Sequence, residues 1–259
     1  MTLHALSPLD GRYIDEVSPL REFFSDFAFF RTRVLVELDF LSALAKTGVI
    51  PSEALSDDQF DLQDFTEEDA GKIQEYEKTT RHDIKAIEYF LREKLPPELH
   101  PYIHFGLTSE DINNIAQATL LRNARDKVLL PALDNLIASL RDFAKMYRAL
   151  PFLARTHGQP AVPSTLGKEI AVYVVRLMKC REEIENHRFE AKLTGAVGNF
   201  NSWQAAAPEL DWIAFSKEFI QSMRLEPNFV TTQILPYDNW IRYFDSIKLT
   251  NSILVDYAQ

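Results

Sequence analysis

Two long stretches of helical periodicity constrain the fold more than any other feature of this sequence. From Ser109 to about residue 147, apolar residues recur at spacings of three and four, and residues 164–192 contain one glycine and no proline. At about 1.5 Å per residue, the second stretch would make a helix roughly 40 Å long. Glycine is scarce throughout, with 8 residues in 259, and helices tolerate few glycines. The sequence therefore predicts an all-α fold built as a bundle of long helices.

Prolines, glycines and capping residues divide the rest of the chain into shorter elements. Residues 1–19 are expected to be an irregular lead-in, and Pro131 is expected to kink or split the helix that begins at Ser109. The three prolines of residues 151–163 indicate a loop or a short hairpin. Further helices are predicted over residues 20–47, 66–77, 83–94, 209–224 and 238–259. Loops are predicted over residues 51–65, which are acidic and expected to be exposed, and over 96–105 and 227–236.

Helix length suggests two domains and an oligomer. Residues 1–107 are assigned to a smaller helical N-terminal domain, and residues 108–259 to the first part of a long-helix bundle. A helix of about 40 Å is buried along its length only if other chains pack against it. The last predicted helix has no stop signal, because residues 256–259 lie within its apolar period. We therefore expect the sequence to be part of a longer protein.

Composition excludes several classes of function. The net charge of −10 argues against binding to nucleic acids or to anionic membranes, which needs basic surfaces. Cys180 is the only cysteine, so an internal disulfide is impossible and a cytoplasmic location is expected. No signal peptide is expected from the first residues, and no transmembrane span is expected because no apolar run is long enough. It also has no pattern typical of a metal or dinucleotide site, so no metal and no cofactor are predicted.

Four polar clusters lie where the helical pattern stops, and each has an ordinary alternative. His157 lies in the segment Arg155–Pro160, where an imidazole could transfer a proton or simply hydrogen-bond to the backbone. Arg81, His82 and Asp83 begin a helix, which favours anion binding or ordinary capping by Thr80 or Asp83. The other two clusters are Thr108 with Ser109, which would cap a helix or bind a carboxylate, and Arg12 with Tyr13, which would bind phosphate or form a surface turn.

In their order and spacing, these clusters resemble those of the adenylosuccinate lyases, a family of the fumarase/aspartase superfamily. The resemblance is closest to the bacterial branch and extends from residue 7 to the end of the chain. It implies an all-α fold of the fumarase/aspartase type and an assembly into homotetramers whose active sites are shared between subunits. The segments that carry it are Ser7–Tyr13, Thr79–Asp83, Thr108–Asn114, Arg155–Ala161, Gly195–Asn199 and Thr231–Gln233.

The resemblance also implies a reaction and roles for individual residues. The reaction is the β-elimination of fumarate from adenylosuccinate, giving AMP, and from the succinylcarboxamide ribotide of purine synthesis. His157 corresponds to the general acid that protonates the leaving nitrogen, and His82 to a second active-site histidine. The substrate-binding positions implied in the same way are Arg12, Tyr13, Arg81, Asp83, Thr108, Ser109, Thr156 and Gln233.

The sequence departs from the family pattern at one point, and two alternative functions remain open. The serine-bearing loop that carries the catalytic base in the family is absent from these 259 residues, so we expect this chain alone to be inactive. A truncated, non-catalytic helical protein that mediates oligomerisation or binding is the alternative from another class. Another fumarate-releasing lyase of the superfamily is the alternative among enzymes.

Overall fold

The structure, a computed structural model, describes residues 4–50 and 64–259. Most of its regular structure is helical, which confirms the predicted all-α fold. No helix in these two ranges is long and apolar enough to cross a membrane. The helices are α1 (Arg21–Phe24), α2 (Asp26–Thr47), α3 (Glu67–Thr80), α4 (Asp83–Lys94), α5 (Ser109–Ala124), α6 (Leu130–Met146), α7 (Leu166–Asn186), α8 (Asn201–Ala206), α9 (Trp212–Ser222) and α10 (Asp238–Ala258). The strands are β1 (Pro151–Thr156), β2 (Gln159–Thr165), β3 (Glu190–Ala191) and β4 (Glu226–Pro227).

The helices of the first half begin and end close to the predicted residues. The helix expected over 20–47 is divided at Ser25, whose side chain accepts the N–H of Ala28 and thereby caps α2. Thr66 and Asp69 form a reciprocal capping box at the start of α3. That helix continues to Thr80, three residues beyond the prediction, and ends where Arg81 adopts a left-handed conformation with φ of 52°.

The middle of the chain differs from prediction at several points. The expected loop over 96–105 contains a 3₁₀ helix, Pro97–Tyr102. The long helix from Ser109 is interrupted shortly before Pro131, where a π-helical turn over Arg125–Leu129 separates α5 from α6. Pro131 itself lies in the first turn of α6. Of the two alternatives for residues 151–163, the structure has the hairpin, formed by β1 and β2.

The prediction of one helix over residues 164–192 is wrong at its end. Helix α7 stops at Asn186, so its 21 residues span about 30 Å rather than 40 Å. Beyond it, Glu190 and Ala191 form β3, which pairs in parallel with β4. Strand β4 begins at Glu226, so its second residue, Pro227, lies in the loop that was expected over 227–236. Of the loop predicted over 51–65, residues 51–63 lie outside the described ranges, and Phe65 is buried rather than exposed.

The chain divides into two compact units. The first comprises the described part of residues 1–122 together with 188–236. Its core contains an aromatic cluster in which Phe40 of α2 packs against Trp203, Phe215 and Phe219. Phe40 and Trp203 are almost completely buried. Helix α2 is buried on most of its circumference, and this places the polar side chains of Arg33 and Glu37 inside the unit.

The second unit comprises residues 123–187 and 237–259. Its three long helices pack together, with α7 in contact with both α6 and α10. Leu177 is completely buried at their centre, and Cys180 is buried beside it, in keeping with a packing role for this thiol. The domain boundary predicted at residue 107 rests on helix length rather than on compactness, and it stays a prediction.

Candidate active site

His82 caps the helix that it precedes. Its backbone is extended, and its Nδ1 atom accepts the N–H of Lys85 at 3.1 Å. The two residues that the sequence suggested as caps have other partners. The hydroxyl of Thr80 bonds to the N–H and the carbonyl of His82 itself, and a carboxylate oxygen of Asp83 accepts the N–H of Ile84. A histidine therefore supplies the cap that serine, threonine or aspartate usually provides.

The capping bond fixes the tautomer of His82. Because Nδ1 accepts a hydrogen bond, the ring proton of the neutral imidazole is on Nε2. Nε2 lies 3.4 Å from the Oγ atom of Ser109, in the first turn of α5. The His82 side chain remains about half exposed, at 52%. One nitrogen of the ring is thus used in folding, while the other faces a hydroxyl and solvent.

Asp83 holds this helix start in place through a buried arginine. One carboxylate oxygen of Asp83 accepts from Nη2 of Arg33 at 2.7 Å and from Nδ2 of Asn113 at 3.3 Å. Nε of Arg33 donates to Oδ1 of Asn113 at 2.8 Å. Burial lowers the pKa of Arg33, although the negative charge of Asp83 opposes the shift. These bonds join α2 to the starts of α4 and α5, so Asp83 supports the site instead of facing an open space.

Thr108 meets Gln233 immediately before α5. The Oγ1 atom of Thr108 accepts a hydrogen bond from Nε2 of Gln233 at 3.3 Å. The backbone N–H of Thr108 donates to Oδ2 of Asp111 at 3.0 Å, and the backbone N–H of Asp111 donates to the carbonyl oxygen of Thr108 at 2.9 Å. Since the N–H of Thr108 is satisfied by Asp111, the hydroxyl is left to pair with Gln233. The pairs His82–Ser109 and Thr108–Gln233 both involve the start of α5, where Thr108 and Ser109 are adjacent residues.

A buried lysine lies beneath the second pair. Lys192 is completely buried, and its ammonium group bonds to Asp111 and to the carbonyl of Gln233. Sequence reasoning missed this residue, because it placed position 192 at the end of a helix where a lysine is ordinarily exposed. The chain carries no local signal for the burial, since the partner Asp111 is 81 residues away.

His157 lies at the turn of the β1–β2 hairpin. Thr156 pairs with Gln159, so His157 and Gly158 form a two-residue loop. Both have positive φ, at 52° and 72°, which is typical of a type I′ turn. Thr156 and His157 are exposed. The second unit therefore presents this imidazole at the end of a two-stranded ribbon, with its side chain exposed.

Three of the predicted binding residues are exposed and are not members of these two pairs. Ser7 and Asp10 form the expected turn, in which the N–H of Ser7 donates to Oδ1 of Asp10 at 2.8 Å. Arg12 and Tyr13 follow that turn with exposed side chains. Arg81 is exposed beside His82, at the C-terminal end of α3. The first unit thus brings together His82, Asp83, Thr108, Ser109 and Gln233, whereas Thr156 and His157 belong to the second unit.

The arrangement suits an anionic ligand and the transfer of a proton. Two helices begin side by side, and hydroxyl, amide and imidazole donors are grouped at their starts, where the helix dipole favours negative charge. An imidazole whose Nε2 atom faces a hydroxyl and solvent is placed to exchange a proton with a ligand. In the two described ranges, no group of three or more His, Cys, Asp or Glu side chains is placed to hold a metal ion.

Sequence comparisons match almost the whole chain. A family model described as Lyase matches residues 11–259. A Haemophilus influenzae protein and an Escherichia coli K12 protein, both named adenylosuccinate lyase, are each 45% identical to it over 99% of this chain and 59% of their own length. A Dictyostelium discoideum protein of the same name is 42% identical over 98% of this chain and 58% of its own. The chain thus spans about three-fifths of the length of these relatives.

Two solved structures share the fold at lower identity. A fumarate lyase from Mesorhizobium sp. BNC1 superposes with a TM-score of 0.77 at 21% identity, covering 93% of this chain and 56% of that one. A 3-carboxy-cis,cis-muconate lactonizing enzyme from Pseudomonas putida gives a TM-score of 0.72 at 21% identity, covering 93% and 54%. At this level of identity the likeness concerns the fold alone.

Proposed function

This chain belongs to the lyase family whose model matches residues 11–259, and from that membership we propose that the complete protein is an adenylosuccinate lyase. The reaction is the β-elimination of fumarate from adenylosuccinate, giving AMP, and the same site takes the succinylcarboxamide ribotide of purine synthesis. Relatives of this name at 45% identity over 99% of the chain support the proposal. Because they extend well beyond the matched region, the activity is proposed for the complete protein.

The elimination requires a proton donor for the leaving nitrogen. Without protonation, the nitrogen would depart as an anion of high energy, so a general acid lowers the barrier. We assign this role to His157, whose exposed position at a tight turn leaves its ring free to reach a ligand. The exposure also means that other parts of the protein must enclose the ligand when His157 acts.

The substrate carries a phosphate and two carboxylates, and the first unit offers donors for them. The observation that carries the proposal is the convergence of His82 with Ser109 and of Thr108 with Gln233 at neighbouring helix starts. We assign this cluster to the succinyl part of the substrate. Arg12 and Tyr13 are assigned to the nucleotide, where a planar guanidinium suits phosphate. Arg81 and Thr156 complete the proposed binding residues, and Asp83 is assigned a supporting role.

A homotetramer with shared active sites completes the proposal. The three long helices of the second unit expose large apolar side chains, including Met146 on α6, Met178 on α7 and Ile241 on α10, which are 73%, 52% and 57% exposed. Burial of such side chains against other chains is favourable. A cytoplasmic location is proposed from the single cysteine, which is buried and unpaired.

The test is an assay of the complete protein with adenylosuccinate. The proposal predicts that absorbance of the succinylated base is lost while fumarate and AMP appear in equal amounts. Absence of conversion, combined with fumarate release from argininosuccinate or malate, would assign the protein to another branch of the superfamily. Absence of conversion of all three would favour a non-catalytic helical protein.

A further inference from the structure

We propose that Lys192 is a positioning residue that holds Gln233 and Thr108 in place for the substrate. This inference rests on the proposed function and deepens it, because it identifies what orders the substrate-binding pair. Lys192 is completely buried and does not reach the surface where a ligand would bind. It acts through the residues that do, from beneath the start of α5.

The ammonium group of Lys192 is fully satisfied by three acceptors. Its Nζ atom lies 2.7 Å from Oδ1 of Asp111, 3.2 Å from the carbonyl oxygen of Gly195 and 2.9 Å from the carbonyl oxygen of Gln233. A lysine ammonium has three N–H donors, so each one has a partner. Burial of a charge is unfavourable unless it is paired and hydrogen-bonded in this way. Because the buried ammonium group of Lys192 needs all three bonds at once, it holds the three acceptor oxygens in fixed positions.

The segment that carries Gln233 depends on this contact for its order. The Gln233 side chain is exposed and bonds to Thr108, while its carbonyl is anchored by Lys192. The same segment is fixed at Thr231, whose hydroxyl lies 2.8 Å from that of Thr194. Gly198 also packs against it, and a Cβ atom at this glycine would overlap the carbonyl oxygen of Thr231.

Lys192 also supports the other member of the pair, Thr108, through Asp111. One carboxylate oxygen of Asp111 accepts from Lys192, and the other accepts the backbone N–H of Thr108 at 3.0 Å. Asp111 is itself completely buried. The single ammonium group thus connects, on one side, to the backbone of Gln233 and, on the other, to the backbone of Thr108. Loss of the charge should misplace both ends of the Thr108–Gln233 contact.

The test compares two lysine substitutions in the complete protein. Lys192→Met removes the three donors at similar volume. Lys94→Met is the matched control, because Lys94 pairs at 2.8 Å with Asp69, which is also buried, and this pair involves none of the proposed site residues. For adenylosuccinate, Lys192→Met should raise KM by about 10- to 100-fold, the range for a hydrogen bond to a charged group, with a smaller change in kcat. Lys94→Met should leave KM within about twofold, as for sites that share no partners.

A second comparison separates positioning from general damage to the fold. If Lys192 acts through Gln233, the double variant that carries Lys192→Met and Gln233→Ala should raise KM by less than the product of the factors measured for the two single variants. Hydrogen exchange of peptides covering residues 228–236 should be faster in Lys192→Met and unchanged in Lys94→Met. The proposal would be overturned if the two single effects on KM multiplied in the double variant, or if KM were unchanged in Lys192→Met. It would also be overturned if exchange were equally fast in Lys192→Met and Lys94→Met.

The test remains decisive if Lys192→Met does not fold and if the wild-type protein proves inactive. If Lys192→Met does not fold, Lys192→Gln removes the charge but keeps two N–H donors, and KM should rise by about 2- to 10-fold. An unchanged KM in that variant would overturn the proposal. If the wild-type protein releases no fumarate, the proposed function fails on its own. The hydrogen-exchange comparison then decides whether Lys192 orders the Gln233 segment.

Discussion

The Nε2 atom of His82 lies 3.4 Å from the Oγ atom of Ser109, and the geometry of a helix cap holds it there. Because Nδ1 of His82 accepts the N–H of Lys85, rotation of the ring would break the cap of α4. The cap therefore orients the imidazole and selects the tautomer that places its proton towards Ser109. In this way, one histidine contributes both to the folding of α4 and to the candidate site.

Replacement of His82 by asparagine should separate these two contributions. Asparagine is among the best capping residues, so the free energy of unfolding of His82→Asn should stay within about 0.5 kcal/mol of wild type. It lacks the Nε2 atom that faces Ser109, so turnover of adenylosuccinate should fall by roughly 100-fold or more. Denaturant unfolding and a fumarate assay on the same preparation measure both quantities.

The control is His82→Ala, which removes both the cap and the imidazole. It should lower turnover as much as His82→Asn does and also lower the free energy of unfolding by about 1 kcal/mol. Equal stability of the alanine and asparagine variants would show that Nδ1 does not cap α4.

His157→Asn should abolish most activity without weakening the hairpin. His157 has a φ of 52° and precedes Gly158, and asparagine followed by glycine is the preferred pair in a type I′ turn. The melting temperature should therefore equal or exceed that of wild type. Turnover should fall by about 10²- to 10⁴-fold, the usual range for a general acid. Turnover close to wild type would remove His157 from the acid role.

A matched substitution at the same position checks the conformational argument. His157→Ala should lose as much activity, but a β-carbon without a polar group is less compatible with a left-handed residue, at a cost of about 1 kcal/mol. The melting temperature of His157→Ala should therefore lie below that of His157→Asn. The reverse order would contradict the assignment of the turn.

The local features of the fold could be predicted from the sequence. Helix α4 begins at Asp83 and ends at Lys94 as predicted, because its apolar period and its flanking residues agree. The start of α3 next to residue 66 and the end of α2 at residue 47 agree with the prediction for the same reason. In each case the determining interactions lie within four residues, which is the range that sequence patterns record.

Features that depend on distant partners were not predicted. Helix α7 stops early because the chain after it pairs with β4 and supplies the buried Lys192, and neither partner is near in sequence. The cap at His82 was missed because histidine is not a common capping residue. Arg33 and Asn113 were missed because their contacts with Asp83 join three separate helices. The site residues themselves came from the family resemblance, whereas their supports came from the structure.

Gly106→Ala should strongly destabilise the first unit. Gly106 has a φ of 69°, and a Cβ atom there would overlap Nε1 and Cδ1 of Trp203. Trp203 cannot move aside easily, because it is buried and its Nε1 donates to the carbonyl of Phe105 at 2.7 Å. The expected loss in the free energy of unfolding is about 3 kcal/mol, since overpacking adds to backbone strain.

Gly48→Ala is the control for this prediction. Gly48 has a similar φ of 78°, but nothing lies within 4 Å of a Cβ atom built there. Only the backbone strain remains, so the loss should be about 1 kcal/mol. Urea unfolding of both variants measures the difference. A Gly106→Ala variant no less stable than Gly48→Ala would contradict the packing of Trp203 against this turn.

The His104–Glu37 pair should make stability depend on pH. Burial alone would lower the pKa of His104, but the charge of Glu37 and a 2.6 Å hydrogen bond to it outweigh burial and raise the pKa above its ordinary value, with smaller help from Glu88 and Asp111. A raised folded-state pKa means that the stabilisation is complete below about pH 6.5, the unfolded value, and is lost as pH rises through the folded value.

The comparison with Glu37→Gln tests this pH dependence. Wild type should exceed the variant in free energy of unfolding by more near pH 6 than near pH 9, because the attraction exists only while His104 is protonated. Urea unfolding at several pH values in this range provides the measurement. A difference between the two proteins that does not change with pH would show that His104 is not charged in the folded state.

We propose, as the central claim, that the active sites of the complete protein are shared between subunits, so that the His82 and the His157 of one site come from different chains. Two inactive variants of the complete protein, His82→Asn and His157→Asn, are mixed, dissociated and reassembled, and the rate of fumarate release from adenylosuccinate is measured. Reassembly should create some sites that contain both wild-type histidines, so fumarate release should reappear in the mixture. A mixture that stays as inactive as the two separate variants, although it reassembles, would contradict the claim.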